Sequence, residues 1–98
     1  MSDRLDKLTK ESFLPLLDGV FRLTDVEPPL ELRLLEVDAR WGKGPHREPF
    51  SLTFLGPGDP VLPQRIYRLE HAELGSLEIF LVPVGRDARG TRYEAAFS

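Results

Sequence analysis

The feature that most constrains the fold is a regular alternation of side chains through the last third of the chain. Leu77, Ile79 and Leu81 alternate with Glu78, Phe80 and Val82, and Tyr93, Ala95 and Phe97 alternate with Arg92, Glu94 and Ala96. A period of two places successive side chains on opposite faces of a sheet. Residues 62–98 are therefore predicted to form three consecutive strands of an antiparallel meander.

The longest strand candidate, residues 30–41, changes phase in its middle. Its first apolar residues, Leu30, Leu32 and Leu34, fall on one face. The apolar residues on the other face are Leu35, Val37, Ala39 and Trp41. A flat strand cannot bury both sets, so we expect a β-bulge or sharp bend near Leu34-Leu35. A bend of this kind lets a small sheet curl and favours a barrel.

The remaining pattern is that of a small β domain with one short helix. We expect the helix within residues 9–18, with an incomplete capping box because Ser12 stands where a Glu would complete the cap of Thr9. Further strands are predicted over residues 20–23, 50–54 and 66–70. The expected fold is mainly β, with about six antiparallel strands in a small open barrel or a two-layer sandwich.

The length of 98 residues fits one domain. We assign residues 9–98 to it, after a flexible N-terminus of residues 1–8 whose charged sequence predicts fraying. The chain has no stretch that resembles a signal peptide or that is long and apolar enough to span a bilayer. We therefore expect a cytoplasmic protein that does not enter a membrane, with inclusion in an exported assembly as the alternative.

Charge and cysteine content exclude several function classes. The 13 basic and 16 acidic residues are interleaved and give a net charge of −3. Nucleic-acid binding normally requires a clustered basic face, so we expect no nucleic-acid partner. The absence of cysteine excludes disulfides, thiolate catalysis and cysteine-ligated zinc.

One cluster offers chemistry, namely Glu70, His71 and Glu73 at a strand end. It has residue types suited to a metal site or a general base, and a hydrolase using His71 and Glu70 is one hypothesis. The other histidine, His46, lies in a distant loop. The structural alternative, which we favour, is that His71 hydrogen-bonds to the backbone and shapes the turn at residues 73–75. The hydroxyl candidates, without a nucleophile elbow around them, are Ser51, Ser76 and Thr91. We expect no enzyme activity, no catalytic residue, no bound metal and no cofactor.

The leading functional hypothesis is a non-enzymatic module for protein interaction or assembly. Its basis is the absence of a coherent catalytic set, together with charged strands and a surplus of aromatic residues. The expected contact residues are Trp41, His46, Arg47, Phe50 and Phe80. Taken singly, each aromatic is better explained by core packing, and the basic loop at His46 and Arg47 is better explained as a solvated loop tip.

A small-molecule-binding barrel is the alternative function. Its ligand would lie in the barrel mouth, near Trp41, Tyr67, His71 and Tyr93. Homo-oligomers are a further expectation, because Pro83 has no N–H and marks an edge strand or the end of sheet pairing. Such an edge is either protected from other chains or a dimer seam.

Four stretches of the sequence carry a resemblance to a known family. They read PFSLxFxGP from residue 49, LPQxxYxLEHxxLG from residue 62, FLVPVGRD from residue 80 and YEAxF from residue 93. From Phe13 to its end, the chain resembles an uncharacterised family of short bacterial proteins of unknown function. The resemblance implies no activity and no catalytic residues. It implies a setting near phage-tail-collar-like proteins, and hence a structural or assembly role in a tail-like or surface structure.

Overall fold

A computed structural model describes residues 8–39 and 49–97 and shows a mainly β protein. Within these residues a short helix is followed by six antiparallel strands, as the sequence predicts. The elements are helix α1 (Lys10–Phe13), a 3₁₀ turn (Leu14–Leu16), and strands β1 (Val20–Leu23), β2 (Leu30–Ala39), β3 (Phe50–Gly56), β4 (Arg65–His71), β5 (Gly75–Asp87) and β6 (Gly90–Phe97). No helix in the described ranges is long and apolar enough to cross a membrane.

The six strands form a closed barrel in the order β1-β2-β3-β6-β5-β4. Closure depends on a short antiparallel pairing between β1 and β4, in which Arg22 lies opposite Glu70 and Leu23 opposite Leu69. The predicted barrel is confirmed, but it is closed rather than open, and the sandwich alternative is wrong because this pairing joins the two sheet edges. The meander of β4, β5 and β6 is also confirmed.

The predicted bulge in β2 lies at Leu35. Leu34 pairs with Phe54 and Glu36 with Thr53, so Leu35 has no opposite residue on β3. The extra residue changes the phase of the strand, which allows apolar residues on both sides of the bulge to point inward. Leu32 and Leu34 are fully buried before it, and Val37 packs against the same core after it.

Strand β5 changes partner along its length. Its residues up to Leu81 pair with β4, and its residues from Val82 onward pair with β6. Pro83 lies past the start of β4, where β5 pairs only with β6, so the predicted edge position of this proline is confirmed. A second register shift follows between Pro83 and Gly85. We call residues 82–87 the β5 overhang.

Side chains from every strand fill the barrel interior. The fully buried large residues are Tyr67, Tyr93, Phe13, Phe21, Phe50, Phe54, Leu23, Leu32, Leu34, Leu52, Leu69 and Leu81. At one barrel end Phe13 of α1 packs on Phe50 and Phe97, with ring centroids 5.9 and 5.8 Å away, and Phe50 stacks on Phe97 at 4.7 Å. The helix therefore covers this end of the core.

The start of the helix differs from the prediction in one respect. The hydroxyl of Ser12 accepts a hydrogen bond from the backbone N–H of Thr9 at 3.1 Å. Serine thus makes the contact that a glutamate makes in the usual capping box. The short hydroxyl reaches this N–H because the backbone N–H of Ser12 is itself bonded to the Thr9 carbonyl. Leu8, which we expected within a flexible N-terminus, packs against the core, and residues 1–7 lie outside the described residues.

Candidate functional site

His71 lies at the end of β4 and has the structural role that the sequence favours. Its Nδ1 accepts a hydrogen bond of 3.0 Å from the backbone N–H of Glu73. Its ring lies against Phe21, with centroids 4.6 Å apart. The imidazole thus stabilises the turn into β5, which confirms the predicted contact with the backbone.

Glu70 does not join His71 in a catalytic pair. Adjacent residues of a strand point to opposite faces, so Glu70 is exposed while His71 is half-buried. The Glu70 carboxylate accepts a hydrogen bond from the hydroxyl of Ser76 and lies across the ladder from Arg22. In the part of the chain that the structure describes, no three His, Asp or Glu side chains gather as metal ligands do.

The tyrosines expected in a ligand pocket are core residues with hydrogen-bonded hydroxyls. The Tyr93 hydroxyl accepts a hydrogen bond of 3.0 Å from the backbone N–H of Leu62, and the Tyr67 hydroxyl donates to the Pro63 carbonyl. Burial raises the pKa of Tyr67 above its ordinary value. The positive charge of Arg65, whose guanidinium lies 4.1 Å from the centre of the Tyr67 ring, lowers this pKa in part.

The predicted ligand pocket is therefore not formed by these residues. Tyr67 lies near the start of β4 and His71 at its end, so the two do not border one opening. Side chains fill the interior between them, and the segment at Leu62 and Pro63 covers the tyrosine end. Trp41, the remaining member of the expected pocket, lies outside the described residues.

The expected interaction residues divide into three groups. Phe80 has 49% of its surface exposed, as an outward position on β5 requires. The expected exposure of Phe50 is wrong, because this residue is fully buried on the inner face of β3 and stacks on Phe97. Trp41, His46 and Arg47 lie outside the described residues.

An exposed apolar patch surrounds Phe80 on the outer wall of the barrel. Ile66 on β4 lies directly opposite Phe80 and is 58% exposed. Val82 follows on the same face of β5, and Val84 in the second bulge is 56% exposed. We call Ile66, Phe80, Val82 and Val84 the apolar ridge. It continues onto the β5 overhang, where the strand has ladder pairs only with β6.

The border of the ridge is charged. Next along the same two strands, Arg68 and Glu78 form an ion pair at 3.6 Å, with both side chains more than half exposed. An apolar centre with a polar border is typical of a protein contact surface. Sequence reasoning did not include Ile66. The alternation of the sequence does indicate that Ile66 points outward, because it is out of phase with the inward residues Tyr67 and Leu69.

Comparison with known proteins gives one match. No curated protein matches the chain, and no solved structure does. A family model matches residues 8–97, which include every strand of the barrel, the His71 turn and the apolar ridge. The chain therefore belongs to the family described as Domain of unknown function (DUF6916).

Proposed function

We propose that this protein is a non-enzymatic interaction module that binds a partner protein through its apolar ridge. The observation that carries the proposal is the direct pairing of Ile66 with Phe80 on the outer wall, each about half exposed or more. Water contact with two large apolar side chains side by side is unfavourable, and a partner that covers them removes that contact.

The energetic scale of the ridge suits a specific but modest contact. Full burial of a Phe or Ile side chain stabilises by about 1.5–3 kcal/mol. Since about half of each side chain is already covered, covering the rest contributes roughly 1 kcal/mol per residue before any polar contacts. Aromatic residues at the centre of such surfaces often contribute the most to binding.

The setting implied by the family resemblance is compatible with this role. A closed barrel with a filled interior is a rigid support for a contact surface on its wall. We propose a tail-like or surface assembly as the context, with the cytoplasm as the place where the module meets its partner. A second copy of the chain, docked along the β5 overhang, is the competing occupant of the ridge.

Binding to proteins encoded beside this gene tests the proposal. Each neighbour is co-expressed with the tagged chain, and the affinity of any recovered pair is measured by titration calorimetry. We expect saturable binding that Phe80→Ser and Ile66→Ser each weaken by about fivefold, which corresponds to the roughly 1 kcal/mol estimated for each residue. Leu14→Ser is the matched control, because Leu14 is 42% exposed but lies beyond α1, away from the ridge.

The proposal fails if no neighbour binds, or if Phe80→Ser and Leu14→Ser bind equally well. Light scattering of the chain alone distinguishes the competing occupant. A dimer that Phe80→Ser dissociates would assign the ridge to a second copy and contradict the partner-binding role.

A further inference from the structure

A second surface of the barrel has the opposite chemical character from the apolar ridge. An open groove of about 900 Å³ lies on the outer wall of β1, β2 and the end of β3, and the turn between β5 and β6 borders it. Its lining residues are Val20, Arg22, Pro29, Leu30, Glu31, Leu32, Arg33, Leu55, Gly56, Pro57 and Arg89. We call it the arginine groove.

The three arginines of the groove differ in how their charge is compensated. Arg22 lies opposite Glu31 on one side and Glu70 on the other, so acids flank it across both ladders. Arg33 instead lies opposite Val20 and Leu55, which are apolar. Its guanidinium thus has no acidic neighbour across the sheet.

Arg89 is the second uncompensated cation. It lies in the two-residue turn after Asp87, and its backbone N–H, not its guanidinium, bonds to the Asp87 carboxylate. The other carboxylate oxygen of Asp87 accepts a hydrogen bond from the Arg92 guanidinium. Within residues 8–39 and 49–97, no ion pair includes Arg33 or Arg89.

This concentration of basic charge is unusual in a protein whose net charge is negative. The full chain contains 16 acidic and 13 basic residues, yet the groove combines three arginines with a single glutamate. Guanidinium groups pair with carboxylates through two parallel hydrogen bonds, and they remain charged at any physiological pH. The groove therefore favours an anionic ligand.

We infer that the arginine groove binds an extended, acidic segment of a partner protein. Carboxylates of that segment pair with Arg33 and Arg89, and its apolar side chains lie on Val20 and Leu55. Val20 is 47% exposed beside Arg33, so apolar and cationic positions are adjacent in the groove. A strand-like peptide, whose alternate side chains point the same way, matches this mixture.

The lining favours a peptide over a nucleic acid. Single-stranded nucleic acids bind through aromatic side chains on which their bases stack, and the groove residues named above include no aromatic ring. The net charge of −3 also opposes a polyphosphate more strongly than a short peptide with a few carboxylates. The inference rests on the proposed interaction role, but its surface is separate from the apolar ridge.

A labelled peptide tests the groove directly. The probe is a fluorescein-labelled decapeptide with four glutamates among valine, serine and glycine, and its affinity is measured by fluorescence anisotropy at low salt. We expect binding that weakens as salt is added, and we expect Arg33→Gln and Arg89→Gln each to weaken it by about threefold to tenfold. Amide shift changes in NMR spectra should cluster at residues 20–33, 55–57 and 89.

Matched controls separate this inference from the ridge proposal. Arg68→Gln removes the same charge from the outer face of β4, outside the groove lining, where Arg68 pairs with Glu78, and should bind the probe as the wild type does. Phe80→Ser should also leave probe binding unchanged, so failure of the ridge and failure of the groove are distinct results.

Three results would overturn the inference. They are absence of binding at low salt, equal loss of affinity in Arg33→Gln and Arg68→Gln, and equal affinity for a peptide with glutamine in place of glutamate. Tighter binding of a ten-nucleotide single-stranded DNA than of the peptide would assign the groove to nucleic acid. That result would also overturn the inference.

Discussion

At the scale of single residues, Gly90 is a position where backbone conformation and close packing both oppose a side chain. Its φ is +143°, and a Cβ placed there would lie 2.1 Å from the carbonyl oxygen of Gly56. We expect Gly90→Ala to lower the free energy of unfolding by about 1–3 kcal/mol from backbone strain, with the clash adding to this. Denaturant titration measures the change. Gly85→Ala is the control and should lie within about 0.5 kcal/mol of wild type, since no atom lies within 4 Å of its added Cβ.

At the scale of elements, the turn between β5 and β6 carries a pH-dependent contact. Hydrogen bonding from Arg92, aided by the Arg89 N–H, holds the pKa of Asp87 below its ordinary value. A lowered pKa in the folded state means that the contact stabilises at pH values above about 3.9, and that this stabilisation is lost as pH falls through the lowered value. An NMR titration of the carboxyl should give a midpoint below that of an unfolded aspartate.

Substitution of this aspartate separates its charge from its hydrogen bond. Asp87→Asn keeps an oxygen for the Arg89 N–H and removes the charge that pairs with Arg92. The variant should lose part of the acid dependence of unfolding that the wild type shows. A titration midpoint for Asp87 at or above the unfolded value would contradict the prediction.

At the scale of the whole molecule, the helix and the barrel share one core. Phe13 is fully buried between Phe50 and Phe97, so we expect Phe13→Ala to lower the free energy of unfolding by about 3–5 kcal/mol. Leu14→Ala, at a residue 42% exposed, should change it by about 0.5 kcal/mol. Unfolding curves from far-UV and near-UV circular dichroism should coincide in the wild type. Separate transitions would show that the helix is not part of the cooperative unit.

The strands and the bulge could be predicted from the amino-acid sequence, because both depend on local periodicity. The phase change between Leu34 and Leu35 predicts a bulge wherever both apolar sets are buried, and the structure has it at Leu35. The same periodicity places Phe50 in phase with Leu52 and Phe54, so the burial of Phe50 could also have been predicted from the sequence. The role of His71 in its turn is similarly local, since its partner Glu73 is two residues away.

The closure of the barrel and the two surfaces depend instead on pairings between residues far apart in the sequence. Closure brings Arg22 opposite Glu70 across 48 positions of chain, a pairing that no local pattern specifies. The apolar ridge requires the register of β4 on β5, which sets Ile66 opposite Phe80. The arginine groove requires the turn between β5 and β6 to meet β1, β2 and the end of β3, with Arg33 left between apolar neighbours. Periodicity assigns each side chain to one face of the sheet. Strand order and register decide which side chains from different strands become neighbours on that face.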